Sequence, residues 1–363
     1  MKLGILTYHR AHNFGALLQA YALKQYLISI GYDVDIVDYF PHYHQQMYAL
    51  WPWSYFKQWG FKQKLRFMAE FPFVFQKRQQ RRELFERFIN NHLKPALLKN
   101  GEQYDVLVYG SDQIWRYQDS PIYKGYNKAY FGTNDIPAKR HITYAASMGK
   151  MDQFDSNVDF FKTQLKNFDT LGIREQELLD KMQPLTDKDI SLTLDPVFLL
   201  PKDVWSKIVP ARKVEEKYIL LYNLLSDPKL NRIAKELGEK KGIKVIEITG
   251  SIKKKKPKGN VETIVGPLDF LSYVYYAEHV ITSSFHGVAF SIVFQKSFVT
   301  YLPKNFGRVT NLLNSIGLGH LFIKEETLKD LGILQIDYPK VDELLQPLIS
   351  KSKAYLDKAI VTS

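Results

Sequence analysis

The chain has 363 residues, 45% of them apolar, a formal net charge of +12 and no cysteine. That length exceeds what one hydrophobic core ordinarily serves, so two domains are expected. The missing cysteine excludes disulfides, a thiolate nucleophile and Cys-ligated zinc, and no apolar run is long enough for a transmembrane helix.

Met1 to Tyr8 turns polar too soon for a signal peptide and reads as a buried first strand, Lys2 to Tyr8, of a cytoplasmic protein. A polar loop, His9 to Gly15, leads into a helix from Ala16 to about Ile30, whose apolar positions repeat with helical period and which Gly31 ends. A second strand spans Asp33 to Asp38. Strand, helix, strand opens a doubly wound parallel sheet. Asn13 and Gly15 stand at the helix start, where unpaired N–H groups favour an anion. An ordinary turn is the competing reading.

From Tyr39 to about His92 the rhythm breaks. The segment is crowded with aromatics and interleaved with basic residues, and it reads as a helical insertion. Either its rings pack on the sheet, or they face a membrane or a lipid-linked substrate. Lys77, Arg78, Arg81 and Arg82 within it would attract an anionic acceptor.

The strand Tyr104 to Tyr109 runs into Gly110-Ser111-Asp112. Asp112 suits a base, or an acceptor of hydrogen bonds from sugar hydroxyls, and equally a turn or cap. Trp115 suits stacking on a sugar ring, or packing. Strands follow at His141 to Ala146, Thr170 to Ile173 and Ile190 to Leu194, with helices at Ser156 to Asn167 and Glu175 to Met182. Arg174 stands after a strand and before a helix, where its charge opposes the helix dipole. A phosphate or carboxylate partner would account for it. Asp195-Pro196 is held extended and shapes the crossover into the second half.

The second half has strands at Tyr218 to Asn223, Lys244 to Ile248, His279 to Thr282 and Phe298 to Tyr301. Its helices are at Pro228 to Lys241, Leu268 to Ala277, Val288 to Phe294 and Val309 to Ile316. The basic run Lys253 to Lys258 reads as an exposed loop. The expected domains are 1–200, with the insertion at about 40–92, then 215–330, then a C-terminal helix at 340–358. The fold class is α/β, with two Rossmann-like domains facing a cleft.

The sharpest signal is Thr282-Ser283-Ser284-Phe285-His286-Gly287, in which strand, tight turn and helix follow one another. Ser283, Ser284 and Gly287 would offer an anion the open end of a helix, and His286 would move a proton there. A Ser cap beside a packed His is the bland alternative. No metal set is evident, because His42 and His44 lack a third ligand, and no cofactor is expected. No Gly-x-Ser-x-Gly elbow follows a strand, and no nucleic-acid signature is present.

Taken in order, five motifs resemble the polysaccharide pyruvyl transferase family over nearly the whole chain. They are Asn13-Phe14-Gly15 through Leu23, Gly110-Ser111-Asp112-Gln113-Ile114-Trp115, Arg174-Glu175, Asp195-Pro196-Val197-Phe198 and Ser284-Phe285-His286-Gly287. The resemblance implies a GT-B-like fold and transfer of the pyruvyl group of phosphoenolpyruvate to a saccharide, as a ketal, in cell-surface polysaccharide synthesis. It casts His286 near the donor and Arg174 on a donor anion. It implies a saccharide acceptor, free, nucleotide-linked or lipid-linked, while the aromatic-basic insertion is what suggests a peripheral contact at the inner face of the membrane. The family often has arginine two residues before this histidine, where this chain has Ser284; Arg308 and Lys304 are the candidate replacements. A GT-B glycosyltransferase using a nucleotide sugar is the second reading, and a non-catalytic glycan- or membrane-binding protein the third.

Overall fold

The computed structural model describes residues 1–133, 135–224, 227–249, 252, 259–301, 307–323 and 335–361. The basic run Lys253 to Lys258 and the candidate cation Lys304 lie outside them.

The first sheet contains β1 (Lys2–Leu6), β2 (Asp33–Val37), β3 (Pro95–Ala96), β4 (Tyr104–Tyr109) and β5 (Ala138–Thr143). Their spatial order is β3-β2-β1-β4-β5, and every pairing is parallel. A parallel sheet is covered on both faces, so its central strands are apolar throughout rather than alternating. Leu3, Ile5 and Leu6 of β1 and Val106, Leu107 and Val108 of β4 are fully buried. Helix α1 (Phe14–Ser29) connects β1 to β2 and is buried on nearly every side. That is why its sequence is apolar all round. Asn13 caps it, accepting from Ala16 N–H at 3.2 Å. A short parallel pair, Leu171–Ile173 with Ile190–Leu192, continues the β5 side through single bridges at Ile142–Thr170 and Ala146–Ile173. Between β2 and β3 in sequence comes a 28-residue helix, α2 (Phe61–Phe88), with Pro72 inside it.

The second sheet repeats the plan with β6 (Tyr218–Tyr222), β7 (Lys244–Ile248), β8 (Asn260–Glu262), β9 (His279–Thr282) and β10 (Ser297–Thr300). The order is β8-β7-β6-β9-β10, again all parallel. Helices α3 (Pro228–Lys241), α4 (Pro267–Tyr276), α5 (Phe285–Val293) and α6 (Gly307–Ser315) accompany it. The last helix is α7 (Tyr338–Val361). Two Rossmann-like α/β units are thus present, the fold class expected from the sequence.

The chain forms two compact units. The first comprises 1–61, 89–200 and 347–363, the second 62–88 and 201–346. Helix α2, which the sequence reading placed with the first half, therefore belongs with the second. Its Leu84 closes on the Gly266 backbone at the start of α4, where an added Cβ would meet Leu84 Cβ at 2.7 Å. The end of α7 is tied into the first unit. Tyr355 Oη donates to Thr143 O (2.8 Å), and Leu194 N–H donates to Ser352 Oγ (2.9 Å).

Candidate functional site

In a sheet of this order the direction of winding reverses between the first and fourth strands. The carboxyl ends of those two strands form the crevice where ligands of open α/β sheets bind. In the second unit they are the ends of β6 and β9, which run into Asn223-Leu224 and Ser283-Ser284.

Hydroxyl groups shape the β9 turn. Thr282 Oγ1 donates to Tyr222 O (3.1 Å) and accepts from Ser284 N–H (3.0 Å). Ser283 Oγ accepts from Leu224 N–H (3.0 Å) and reaches Asn223 Oδ1 (3.4 Å). Ser284 is the N-cap of α5, its Oγ accepting from Gly287 N–H (3.4 Å). No side chain fits at Gly287, because a Cβ there would lie 2.2 Å from Thr282 Oγ1. His286 stands in the first turn of α5, half-buried, its ring edge-on to Phe285 at 5.2 Å. The helix begins at Phe285, three residues earlier than the apolar pattern indicated, because Ser284 caps it there.

One arginine stands beside this turn, and a second acts on Tyr222, which precedes it in the sheet. The Arg308 guanidinium lies 5.5 Å from the centre of the Phe285 ring. Arg308 is in the first turn of α6, where its charge opposes the helix dipole. Arg81 of α2 comes within electrostatic range of Tyr222, the residue that ends β6. Burial raises the Tyr222 phenol, while Arg81 and a hydrogen bond with Ser284 pull it down. The sequence assigned Arg81 to a surface cluster; its helical spacing with Val74, Phe85 and Phe88, all buried, was the signal that it faces inward.

The first unit has its own switch point, at the ends of β1 and β4. Gln19 of α1 clamps them: its Nε2 donates to Thr7 Oγ1 (3.0 Å), and its Oε1 accepts from Ser111 N–H (3.3 Å). Thr7 Oγ1 donates to Ser111 O (3.0 Å). Asp112 follows with φ 68°, a left-handed conformation uncommon outside glycine. Its side chain is 17% exposed. Around it stand Tyr8, His44 and Tyr48. Burial, reinforced by the Asp112 charge, pushes the Tyr48 phenol up to about 12. Burial first, and then His9, lowers His44 to about 4, against the pull of Asp112. Tyr8 meets His44 edge-on at 4.7 Å.

Two sequence expectations change here. Trp115 is wholly buried, stacked on Phe131 at 5.4 Å, with Nε1–H donating to Tyr130 O (2.9 Å). It is a core residue, and the aromatic wall near Asp112 is Tyr8, His44 and Tyr48 instead. Arg174 sits at 3% side-chain exposure among acids, its Nη1 at 2.5 Å from Asp195, Nε at 3.7 Å from Glu175 and Nη2 at 4.0 Å from Asp112. Burial works against its charge, but the three carboxylates outweigh that and hold it on. Three acids thus surround this guanidinium, Asp195 at hydrogen-bond distance and Glu175 and Asp112 further off. Asn13 is a helix cap, and Gly15 lies inside the first turn of α1, buried. Asn13, Gly15, Asp112, Trp115 and Arg174 all belong to the first unit; Ser283, Ser284, His286, Gly287 and Arg308 belong to the second.

The family model described as "Polysaccharide pyruvyl transferase" matches residues 13–305. The chain belongs to that family, which is a family of transferases. No curated protein is similar enough to match. Among solved structures the chain is similar to the UDP-GlcNAc 2-epimerase of Methanocaldococcus jannaschii in complex with UDP-GlcNAc and UDP. That match has a TM-score of 0.45 and 12% identity and covers 100% of both chains. It is also similar to the E. coli heptosyltransferase WaaC with ADP, with a TM-score of 0.43 and 11% identity over 96% of this chain and 100% of that one.

The geometry sets two expectations. Gly287→Ala forces the start of α5 away from Thr282 and should cost about 1–3 kcal/mol, the usual penalty for overpacking. Chemical denaturation would show it as a lower midpoint with an unchanged slope. His44 takes up its proton near pH 4 when folded and near 6.5 when unfolded, so acid draws the chain toward the unfolded state. Relative to His44→Phe, the wild type should lose about 2 kcal/mol between pH 7 and 5. Parallel stability curves over that range would contradict the buried neutral imidazole.

Proposed function

We propose that this chain transfers the pyruvyl group of phosphoenolpyruvate to two hydroxyls of a saccharide, as a ketal, in the cytoplasmic synthesis of cell-surface polysaccharide. The reading is carried by the β9–α5 turn, which sets His286 at a helix start with Arg308 beside it and Arg81 acting on Tyr222. The donor has a phosphate and a carboxylate, and each needs donors and positive charge. Peptide N–H groups at the start of α5, with Ser283, Ser284 and Gly287, offer the first. The arginines offer the second, in place of a guanidinium at position 284.

The chemistry follows from the donor. His286 in its protonated form gives a proton to the methylene carbon, and C2 becomes electrophilic. One saccharide hydroxyl adds to C2 and loses its proton to a base. Phosphate leaves, and the second hydroxyl closes the ketal as its proton departs. Within the first unit, Asp112 is the proposed acceptor-side base, with Tyr8 and Tyr48 as its aromatic neighbours for a sugar. Arg174 is reassigned from donor anion to holding Asp112, Glu175 and Asp195 in place.

Calorimetric titration of phosphoenolpyruvate tests the donor. Wild type should bind saturably, and Arg81→Ala and Arg308→Ala should each weaken binding by about tenfold to a hundredfold, the loss of one charge-assisted contact. His286→Ala should cut phosphate release in the presence of acceptor by roughly 100- to 10,000-fold. Saturable binding of UDP or ADP together with indifference to phosphoenolpyruvate would replace this reading by glycosyl transfer from a nucleotide sugar.

A further inference from the structure

Helix α2 has apolar residues on two opposite faces, and the two differ in burial. Val74, Phe85 and Phe88 are buried and share the inward face with Arg78 and Arg81. Half a turn away, Phe61, Leu65, Met68, Pro72 and Phe75 follow the spacing of a single helical stripe. This stripe faces outward: Phe61 is 76% exposed, Leu65 51%, Met68 54% and Phe75 39%. A surface helix ordinarily puts its apolar stripe toward the core and charge toward water. The inward face already meets that need, so the outward stripe requires another occupant.

Charge indicates which occupant. Over its whole length the helix has eight Lys and Arg residues against Glu70, Glu83 and Glu86, and of the eight Arg78 and Arg81 share the inward face. Lys62, Lys64 and Arg66 flank the stripe along its first turns, and the Arg66 side chain, paired with Glu70 at 3.1 Å, is 80% exposed. The whole chain has a charge of +12. A second copy of the chain seated on the stripe would bring basic helix against basic helix. An anionic bilayer satisfies both features, taking aromatic and aliphatic side chains into the boundary of headgroups and acyl chains while attracting the flanking cations. No helix among the described residues is long and apolar enough to cross a membrane. A helix lying in the interface needs no such length.

We propose that the outward face of α2 docks this protein on an anionic lipid bilayer, with Phe61, Leu65, Met68 and Phe75 entering the interface and Lys62, Lys64 and Arg66 meeting the headgroups. The proposal goes beyond the assigned transfer reaction, and its test uses neither donor nor acceptor, so the two can fail independently.

Full-length protein would be sedimented with vesicles of phosphatidylglycerol and phosphatidylcholine, and with vesicles of phosphatidylcholine alone. Wild type should partition to the anionic vesicles, more weakly as salt rises, and little to the neutral ones. The triple variant Phe61→Gln, Leu65→Gln, Met68→Gln should partition about tenfold less or worse, with its thermal midpoint unchanged because these side chains are exposed. Wild-type sedimentation unaffected by the triple substitution would overturn the proposal, as would absence of binding to the anionic vesicles. A concentration-dependent dimer that the triple variant dissolves, without vesicle binding, would assign the stripe to a second copy and end the lipid reading.

Discussion

The constraint from which the sites follow is the winding reversal in each sheet. Where strands run parallel in the order third, second, first, fourth, fifth, the connections after the first and fourth strands leave toward opposite faces. The carboxyl ends of those two neighbours are the place where polar backbone meets no covering helix. Both units follow this rule with unrelated residues. In one, Thr7 and Ser111 meet at the reversal; in the other, Tyr222 and Thr282 do. The strands leading there are free of polar duty, and so they read as continuous apolar runs.

The two reversals are fixed by different means. The second unit uses neutral hydroxyls: Thr282, Ser283 and Ser284 satisfy neighbouring backbone groups at little desolvation cost. Its electrostatic capacity is left to the helix start, to Arg308 beside it and to Arg81. The first unit spends its charges internally. Arg174 is surrounded by Asp195, Glu175 and Asp112, while Arg10 and His9 both engage Asp38 and hold its carboxyl well below the usual range. A buried charge held among carboxylates of opposite sign is fixed in place by them.

Much of this was legible in the sequence because periodicity reports burial. The strand Tyr104–Tyr109 and the helix Pro228–Lys241 stand at the residues their patterns indicated. Short edge pieces such as Pro95–Ala96 and Asn260–Glu262 were not legible, since two or three residues show no period. Trp115 shows a different limit. An aromatic after a strand end packs or stacks on a ligand with the same sequence signature, and only its neighbours Phe131 and Tyr130 decide. Helix α2 was assigned to the wrong half because adjacency in sequence suggested the first sheet. Its partners, among them the Gly266 backbone, come from more than a hundred residues further along the chain.

Position 284 shows how such distant partners change the chemistry of a short motif. An arginine there would occupy the N-cap of α5, where a cation opposes the helix dipole and supplies no acceptor for the first N–H groups. Serine reverses both effects, and a capping oxygen is worth about 1 kcal/mol to the helix. The charge lost from the cap does not vanish from the neighbourhood, because Arg308 reaches Phe285 from α6 and Arg81 reaches the environment of Tyr222 from α2. Neither belongs to the motif, and neither disturbs the cap. The motif thus keeps its capped helix start, while the charge around it depends on elements packed against it. Substituting one residue of the motif says little about affinity until those elements are counted.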